Sequence, residues 1–251
     1  MRLERDKVKE GMDVLIRTQE MLIRSERFAA IGEAAAYLSH EIKNPLVLIG
    51  GFATQVEKSL PKEDANIKKL RIIQDETSRL ELLLTDVRDF TRPSLPRKEL
   101  LDIHLSIKET LALMETDLTE KGIECNTLFD DELPPVWFDP EKIKQVLINL
   151  IKNAADAVSE GGRITIKTQP EGDSTRISIT DSGKGMSAET IKKIFDPFFT
   201  TKKKGTGLGL AVCRKIIEDH MGELSVESKE GEGTSVTFTL PKMSGKGAEE
   251  D

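Results

Sequence analysis

Apolar residues recur at sevens from the start of the chain, at Val8, Leu15, Leu22, Ala29 and Ala36, with a neighbouring row at Ile16, Ile23, Ala30 and Tyr37. This double row predicts a coiled-coil helix that runs on into the segment around His40. A second amphipathic helix is expected from about Lys62 to Phe90, with Ile73, Leu80 and Val87 at sevens and Leu70, Thr77 and Leu84 beside them. Two such helices joined near Ser59-Leu60-Pro61 make a hairpin with too little core of its own. Pairing two hairpins into a dimeric four-helix bundle buries both stripes. Thr91-Arg92-Pro93-Ser94-Leu95-Pro96 then reads as a short stiff linker.

Beyond the linker the period changes. Gly162 to Thr168 and Thr175 to Thr180 alternate apolar and polar residues, which predicts a hairpin across the turn Pro170 to Asp173. A helix opening near Asp139-Pro140 carries Val146, Leu147, Leu150, Ile151 and Ala154 as its apolar stripe. Another is expected from Leu208 to Glu218, followed by strands at Leu224 to Ser228 and Ser235 to Leu240. Strands and helices that alternate in this way predict an α/β sandwich. The expected organisation is a signalling helix at 1–27, a helical domain at 28–92, a linker at 93–97, an α/β domain at 98–243 and a disordered polar tail at 244–251.

Composition narrows the class. The 251 residues are 32% charged with a net charge of −7, which disfavours a broad nucleic-acid surface. Cys125 and Cys213 lie far apart without metal-ligand spacing and read as reduced thiols. No run approaches a membrane span and no signal peptide precedes the chain, so a cytoplasmic setting is expected, with any membrane anchor in segments outside this chain.

Chemistry concentrates in five places. Ser39-His40-Glu41-Ile42-Lys43-Asn44-Pro45 sets an imidazole beside a carboxylate, with an amide one helical turn on. A neutral imidazole is a nucleophile, Glu41 can take or orient its proton, and Asn44 shares the helix face of His40. Pro45, Gly50 and Gly51 make the following turns the weakest part of that helix. Asn149 and Asn153 also share a face, and amide oxygens are hard ligands suited to Mg²⁺. Asp181-Ser182-Gly183-Lys184-Gly185 places a carboxylate at a strand end, where it can accept the exocyclic amine of adenine; Asp-Ser-Gly is also an ordinary turn. Phe195, Phe198 and Phe199 gather three of nine Phe ahead of Lys202, Lys203 and Lys204. Gly205, Gly207 and Gly209 then lead into a helix whose first N–H groups offer an anion site. The stretch Gly231 to Thr234 could by itself be only a hairpin turn.

With these residues in order, the chain resembles the cytoplasmic kinase core of a two-component sensor histidine kinase over roughly residues 28 to 241. The resemblance implies a dimerisation and histidine-phosphotransfer bundle followed by an ATP-binding domain of the gyrase, Hsp90 and histidine-kinase type. It implies ATP and Mg²⁺ as ligands, autophosphorylation of His40 with Glu41 assisting, and transfer to an aspartate of a response-regulator receiver domain. It also implies a phosphatase role for Asn44. Asn153 would hold the metal with Asn149 near the phosphates, and Asp181 would bind adenine with Gly183 and Gly185 shaping the pocket and Thr234 nearby. Phe195, Phe198 and Phe199 would belong to the aromatic box of a mobile lid, and Gly205, Gly207, Leu208 and Gly209 would lie beneath the triphosphate.

The chain departs from the family pattern in two places. Many relatives carry a basic residue three positions after the metal-binding Asn, where this chain has Asp156; Lys152 or Lys202 to Lys204 would then supply the positive charge. His220-Met221-Gly222 replaces the common His-Gly-Gly, and both His220 and His104 read as structural. Related ATPases and serine kinases place a glutamate four residues before the metal-binding Asn. This chain has Asn149 there, which favours a nucleophile that brings its own base. The remaining alternative is a non-enzymatic dimeric scaffold with a decayed ATP site.

Overall fold

A computed structural model describes residues 42–61, 64–91, 95–202 and 205–242. The expected coiled coil, His40, Glu41, Lys203, Lys204 and the polar tail lie outside these residues. The chain divides into two compact units, Met1–Pro93 and Ser94–Asp251.

The first unit is an antiparallel helical hairpin of α1 (residues 42–59) and α2 (Ile67–Thr91). Expected to begin near Lys62, the second helix starts later because Asp64 accepts the Asn66 N–H at 2.7 Å, closing a local turn first. Leu46, Ala53 and Thr77 are buried at the seam. Gly50 faces Thr77 so closely that a Cβ there would lie 3.2 Å from the hydroxyl, so this glycine has a packing reason. Glu57 closes the pairing, accepting from Arg71 and Gln74 at 2.9 Å each. Ile42, Ile49, Phe52 and Val56 on α1 and Ile73 and Leu80 on α2 remain exposed within one chain.

In the second unit, β1 (Glu99–Leu101) leads into α3 (Ile103–Glu120) and β2 (Glu124–Leu128). After β3 (Val136–Phe138) comes α4 (Pro140–Ala157), then the hairpin of β4 (Arg163–Glu171) and β5 (Ser174–Asp181). A short α5 (Ala188–Lys193), α6 (Gly209–Asp219), β6 (Leu224–Lys229) and β7 (Gly233–Pro241) complete it. The five-stranded sheet runs β2-β4-β5-β7-β6 and is antiparallel except between β2 and β4; β1 and β3 pair separately. The β4–β5 turn is shorter than expected, since Pro170 and Glu171 remain paired with Thr175 and Ser174.

Strand alternation fixes the core. Ile164, Ile166, Ile177, Ile179, Phe238 and Leu240 point to one face and are essentially inaccessible. Leu147, Leu150 and Ile151 of α4, Ile103 and Ile107 of α3, and Val212 and Ile217 of α6 are buried with them. The other face stays polar, with Ser178 and Thr237 hydroxyls 3.1 Å apart and Thr180 and Ser235 2.9 Å apart. Fully burying one such aliphatic side chain stabilises the fold by roughly 1.5–3 kcal/mol.

One polar junction ties the two long core helices together. Asp139 caps α4 by accepting the Lys142 N–H, and its other oxygen takes the Arg97 N–H at 2.8 Å. The Asp139 N–H donates to Nε2 of buried His220 at 2.9 Å, while Nδ1 lies 2.7 Å from the Ile216 carbonyl of α6. This arrangement requires the neutral ring with its proton on Nδ1. Burial, with the nearby Lys98 charge, holds the His220 pKa below its ordinary value of 6.5 against Asp139, Asp219 and the Ile216 carbonyl. A depressed folded-state pKa gives stability that is present above 6.5 and lost as pH falls through the folded value. Lowering pH from about 8 to about 5 should therefore lower the melting temperature of the second unit, and His220→Gln should flatten that dependence. Equal pH slopes in calorimetry of parent and variant would contradict this role.

Candidate nucleotide site

Asp181 terminates β5 at the edge of the buried face and is itself buried. Its Oδ1 accepts the Gly183 N–H at 2.8 Å. Burial raises its pKa above the ordinary carboxylate value, and the N–H groups of Gly183 and Thr234 pull the other way. Two carboxylate oxygens offer about four acceptor positions, so two backbone donors leave capacity for a donor from outside the protein. Across the ladder, Asp181 pairs with buried Thr234. The Thr234 hydroxyl meets Ser228 Oγ at 2.9 Å, and that same oxygen accepts the Met186 N–H at 2.9 Å.

Two close approaches explain the glycines here. A Cβ at Gly183 would lie 2.5 Å from the Ala157 carbonyl oxygen, which ends α4. Gly185 adopts φ +62° with its α-carbon against the Lys229 carbonyl, a position closed to any side chain. Gly183 thus seats the strand end on the end of α4, and Gly185 seats the following loop on the end of β6.

On α4, Asn149 and Asn153 are half-buried, and Asn149 lies beside the start of α6. A Cβ at Gly209 would lie 3.4 Å from Asn149 Oδ1. Leu208 is fully buried and offers α6 no side-chain cap, which leaves its first N–H groups available for an anion. Gly207 (φ +71°) packs on the backbone of Phe198 and accepts its N–H at 3.0 Å. Phe198 is largely exposed, with a positive φ of 68°, so the aromatic segment leaves α5 through a strained turn. Phe195 lies under the Arg214 guanidinium, 3.7 Å from its ring centre.

The lid lysine has a defined partner. Lys202 Nζ donates to Asn153 Oδ1 at 2.7 Å and to Asp156 Oδ2 at 3.0 Å. Lys121, at the end of α3, holds the other Asp156 oxygen at 2.9 Å. Burial would raise the Asp156 pKa, but hydrogen bonds and charge from both lysines outweigh it and lower the pKa.

Asn153 thus already holds a cation. Among the described residues no group of three or more His, Cys, Asp and Glu could hold a metal unaided. The donors fit an ion such as Mg²⁺ that keeps waters and takes further oxygens from a ligand.

The structure therefore brings Asn149, Asn153, Asp181, Gly183, Gly185, Phe195, Lys202, Gly205, Gly207, Leu208, Gly209 and Thr234 into one unit, around the ends of β5, α4 and α6. Asn44 lies exposed on α1 in the other unit, one residue before Pro45. His40 and Glu41 fall outside the described residues. Ser228, Lys121 and Arg214 were not anticipated. Only Ser228 carried a signal, as a polar strand residue facing Thr234 across a short glycine turn.

Comparison with known proteins gives two matching families. Residues 30–95 match the His Kinase A (phospho-acceptor) domain, and residues 138–244 match the histidine kinase-, DNA gyrase B- and HSP90-like ATPase. The sensor histidine kinase ZraS of Escherichia coli K12 is 35% identical over 223 residues, covering 89% of this chain and 48% of that protein. Sporulation kinase E of Bacillus subtilis is 36% identical over 225 residues, again 89% of this chain but 30% of the relative. The chain thus spans less than half of either. Among solved structures, the catalytic domain of histidine kinase ThkA is 40% identical (TM-score 0.54), covering 58% of this chain and 96% of that one. Histidine kinase ThkA in complex with response regulator protein TrrA is 34% identical (TM-score 0.67), covering 90% and 66%. The fold is a helical region followed by an α/β ATP-binding domain of this type. Among the described residues, no helix is long and apolar enough to cross a membrane.

Because its folded pKa is raised, Asp181 contributes stability that is present below the ordinary value of 3.8 and lost as pH rises through the folded value. Without added nucleotide, Asp181→Asn should melt higher than the parent at pH about 7, with the difference closing toward pH about 4. A lower melting temperature at neutral pH would mean that the carboxylate supports the fold.

Proposed function

Because the chain belongs to the two-component sensor histidine kinases, we propose that it binds Mg²⁺-ATP in the second unit and phosphorylates its own His40. The reading is carried by the buried, glycine-framed carboxylate of Asp181, an acceptor with no structural need to be ionised. Adenine donates its exocyclic amine to Asp181 while the phosphates lie at the start of α6, beside Asn149 and Asn153. Asn153 would hold the metal, which when bound would neutralise phosphate charge.

An unprotonated ring nitrogen of His40 attacks the γ-phosphorus, the bond to the bridging oxygen breaks, and ADP leaves. Glu41 accepts or orients the proton on the other ring nitrogen as the phosphoramidate forms. The position four before Asn153 is Asn149 rather than a carboxylate, which favours this nucleophile over water. The phosphoryl group then passes to an aspartate of a response-regulator receiver domain. The complex of ThkA with TrrA supports that class of partner. The exposed apolar row of the hairpin supports a homodimer built from two hairpins, in which Ile49, Phe52, Ile73 and Leu80 become interior. A cytoplasmic location fits these partners.

Asn44 is assigned the reverse activity. Hydrolysis of an aspartyl phosphate needs a water held in line with phosphorus, and an exposed amide four residues after His40 can donate to and accept from it.

Incubation with Mg²⁺-ATP should label His40 in an acid-labile, base-stable form. His40→Ala should abolish the label with nucleotide binding retained, and Asn153→Ala should weaken binding by roughly 10- to 150-fold. Label on Ser or Thr would refute the assignment. With purified phospho-regulator and ADP, Asn44→Ala should keep His40 labelling but lose accelerated dephosphorylation. Equal rates in variant and parent would refute the second role.

A further inference from the structure

We infer that Asp156 is a positioning residue that latches the lid through Lys202, so that the lid ammonium and the nucleotide's divalent cation compete for the amide oxygen of Asn153. The inference rests on the nucleotide reading above and adds a regulation of that site.

Four observations carry it. Asp156 follows Asn153 by three positions on α4, so both face the same side, and one ammonium bridges them at 2.7 and 3.0 Å. Lys121 holds the other Asp156 oxygen from the end of α3, so the carboxylate is fixed between two cations rather than free to follow the lid. The Lys202 backbone is held as well: its N–H donates to Thr200 Oγ1 at 3.1 Å, and its carbonyl accepts the Gly205 N–H at 3.3 Å. A Cβ at Gly205 would lie 2.5 Å from Thr200 Oγ1, so Gly205 packs against the same threonine that accepts the Lys202 N–H.

A hard divalent ion and an ammonium cannot share Asn153 Oδ1 without strong repulsion. Loading the site therefore displaces Lys202 from Asn153, and the arriving phosphates offer it new oxygens. Asp156 opposes that transfer because it retains the ammonium. The apparent affinity is lowered by the fraction of chains that remain latched. Relatives with a basic residue at this position would have no such acceptor.

The test is a double-mutant cycle on the full chain, with ADP affinity measured by titration calorimetry in Mg²⁺ and in EDTA, together with amide hydrogen exchange of the ligand-free protein. Asp156→Asn should tighten ADP binding about two- to five-fold, the size of a partly exposed ion pair. In a Lys202→Met background the same change should have no effect. Without ligand, both single variants should accelerate exchange at Gly205 and the neighbouring lid amides. Equal tightening in the Lys202→Met background would mean simple repulsion between Asp156 and phosphate, and would overturn the latch. Unchanged affinity or unchanged lid exchange in Asp156→Asn would overturn it too. A parent chain that binds no ADP would refute the nucleotide reading instead, and the exchange comparison, which needs no ligand, would still decide the latch.

Discussion

A carboxylate kept inside the protein at the end of β5 is the constraint around which the nucleotide site of the second unit is arranged. Burial disfavours the charged form of Asp181, and two backbone N–H groups only partly offset that. The local backbone is arranged around this group: Gly183 turns tightly against the end of α4, Gly185 packs against Lys229, and β7 pairs so that Thr234 stands opposite. A protein under pressure only for stability would place an amide or an apolar residue here. Retention of the acid is intelligible if a ligand supplies the missing donor, and adenine has one.

The charges around α4 show the same tension at the other end of the site. Asn153 and Asp156 form an oxygen-rich spot that holds the Lys202 ammonium, and Lys121 fixes it from behind. On the proposed reading, nucleotide binding would exchange one set of cation–oxygen contacts for another rather than fill an inert cleft. Asp139 and His220 stand apart from this exchange. They join the start of α4 to the end of α6 through a neutral ring, which fixes the spacing of the two helices that carry Asn149, Asn153 and Gly209.

Much of this was legible in the sequence because it is local. Alternation marked the β4–β5 hairpin and Asp139-Pro140 marked the start of α4, whereas the left-handed residue after α6 is Met221 (φ 60°) and not the glycine that follows it. The motifs of the site could be read in order because each pairs a chemical group with a glycine or a helix end. What escaped were consequences of distant pairing and of backbone strain. Short β1 has three residues and exists through its partner β3. Ser228 reaches the site only because β6 folds onto β7, and the positive φ of Phe198 follows from its packing on Gly207. Sequence left open whether Lys152 or Lys202 to Lys204 replaces the basic residue lost at Asp156. Among the described side chains, Lys202 reaches both Asn153 and Asp156, contacts that span 49 and 46 positions of sequence and that no local pattern announces.

The central claim is that Asp181 reads the exocyclic amine of adenine, and base discrimination tests it most directly. Guanine presents a carbonyl oxygen where adenine presents the amine, so the carboxylate would face an acceptor and be left unpaired. Calorimetric titration of the full chain with ADP and with GDP, both with Mg²⁺, should give roughly 10- to 150-fold tighter binding of ADP, the range for one hydrogen bond to a charged group. Asp181→Ala should erase most of that preference. Equal affinity for the two nucleotides in the parent would contradict the account.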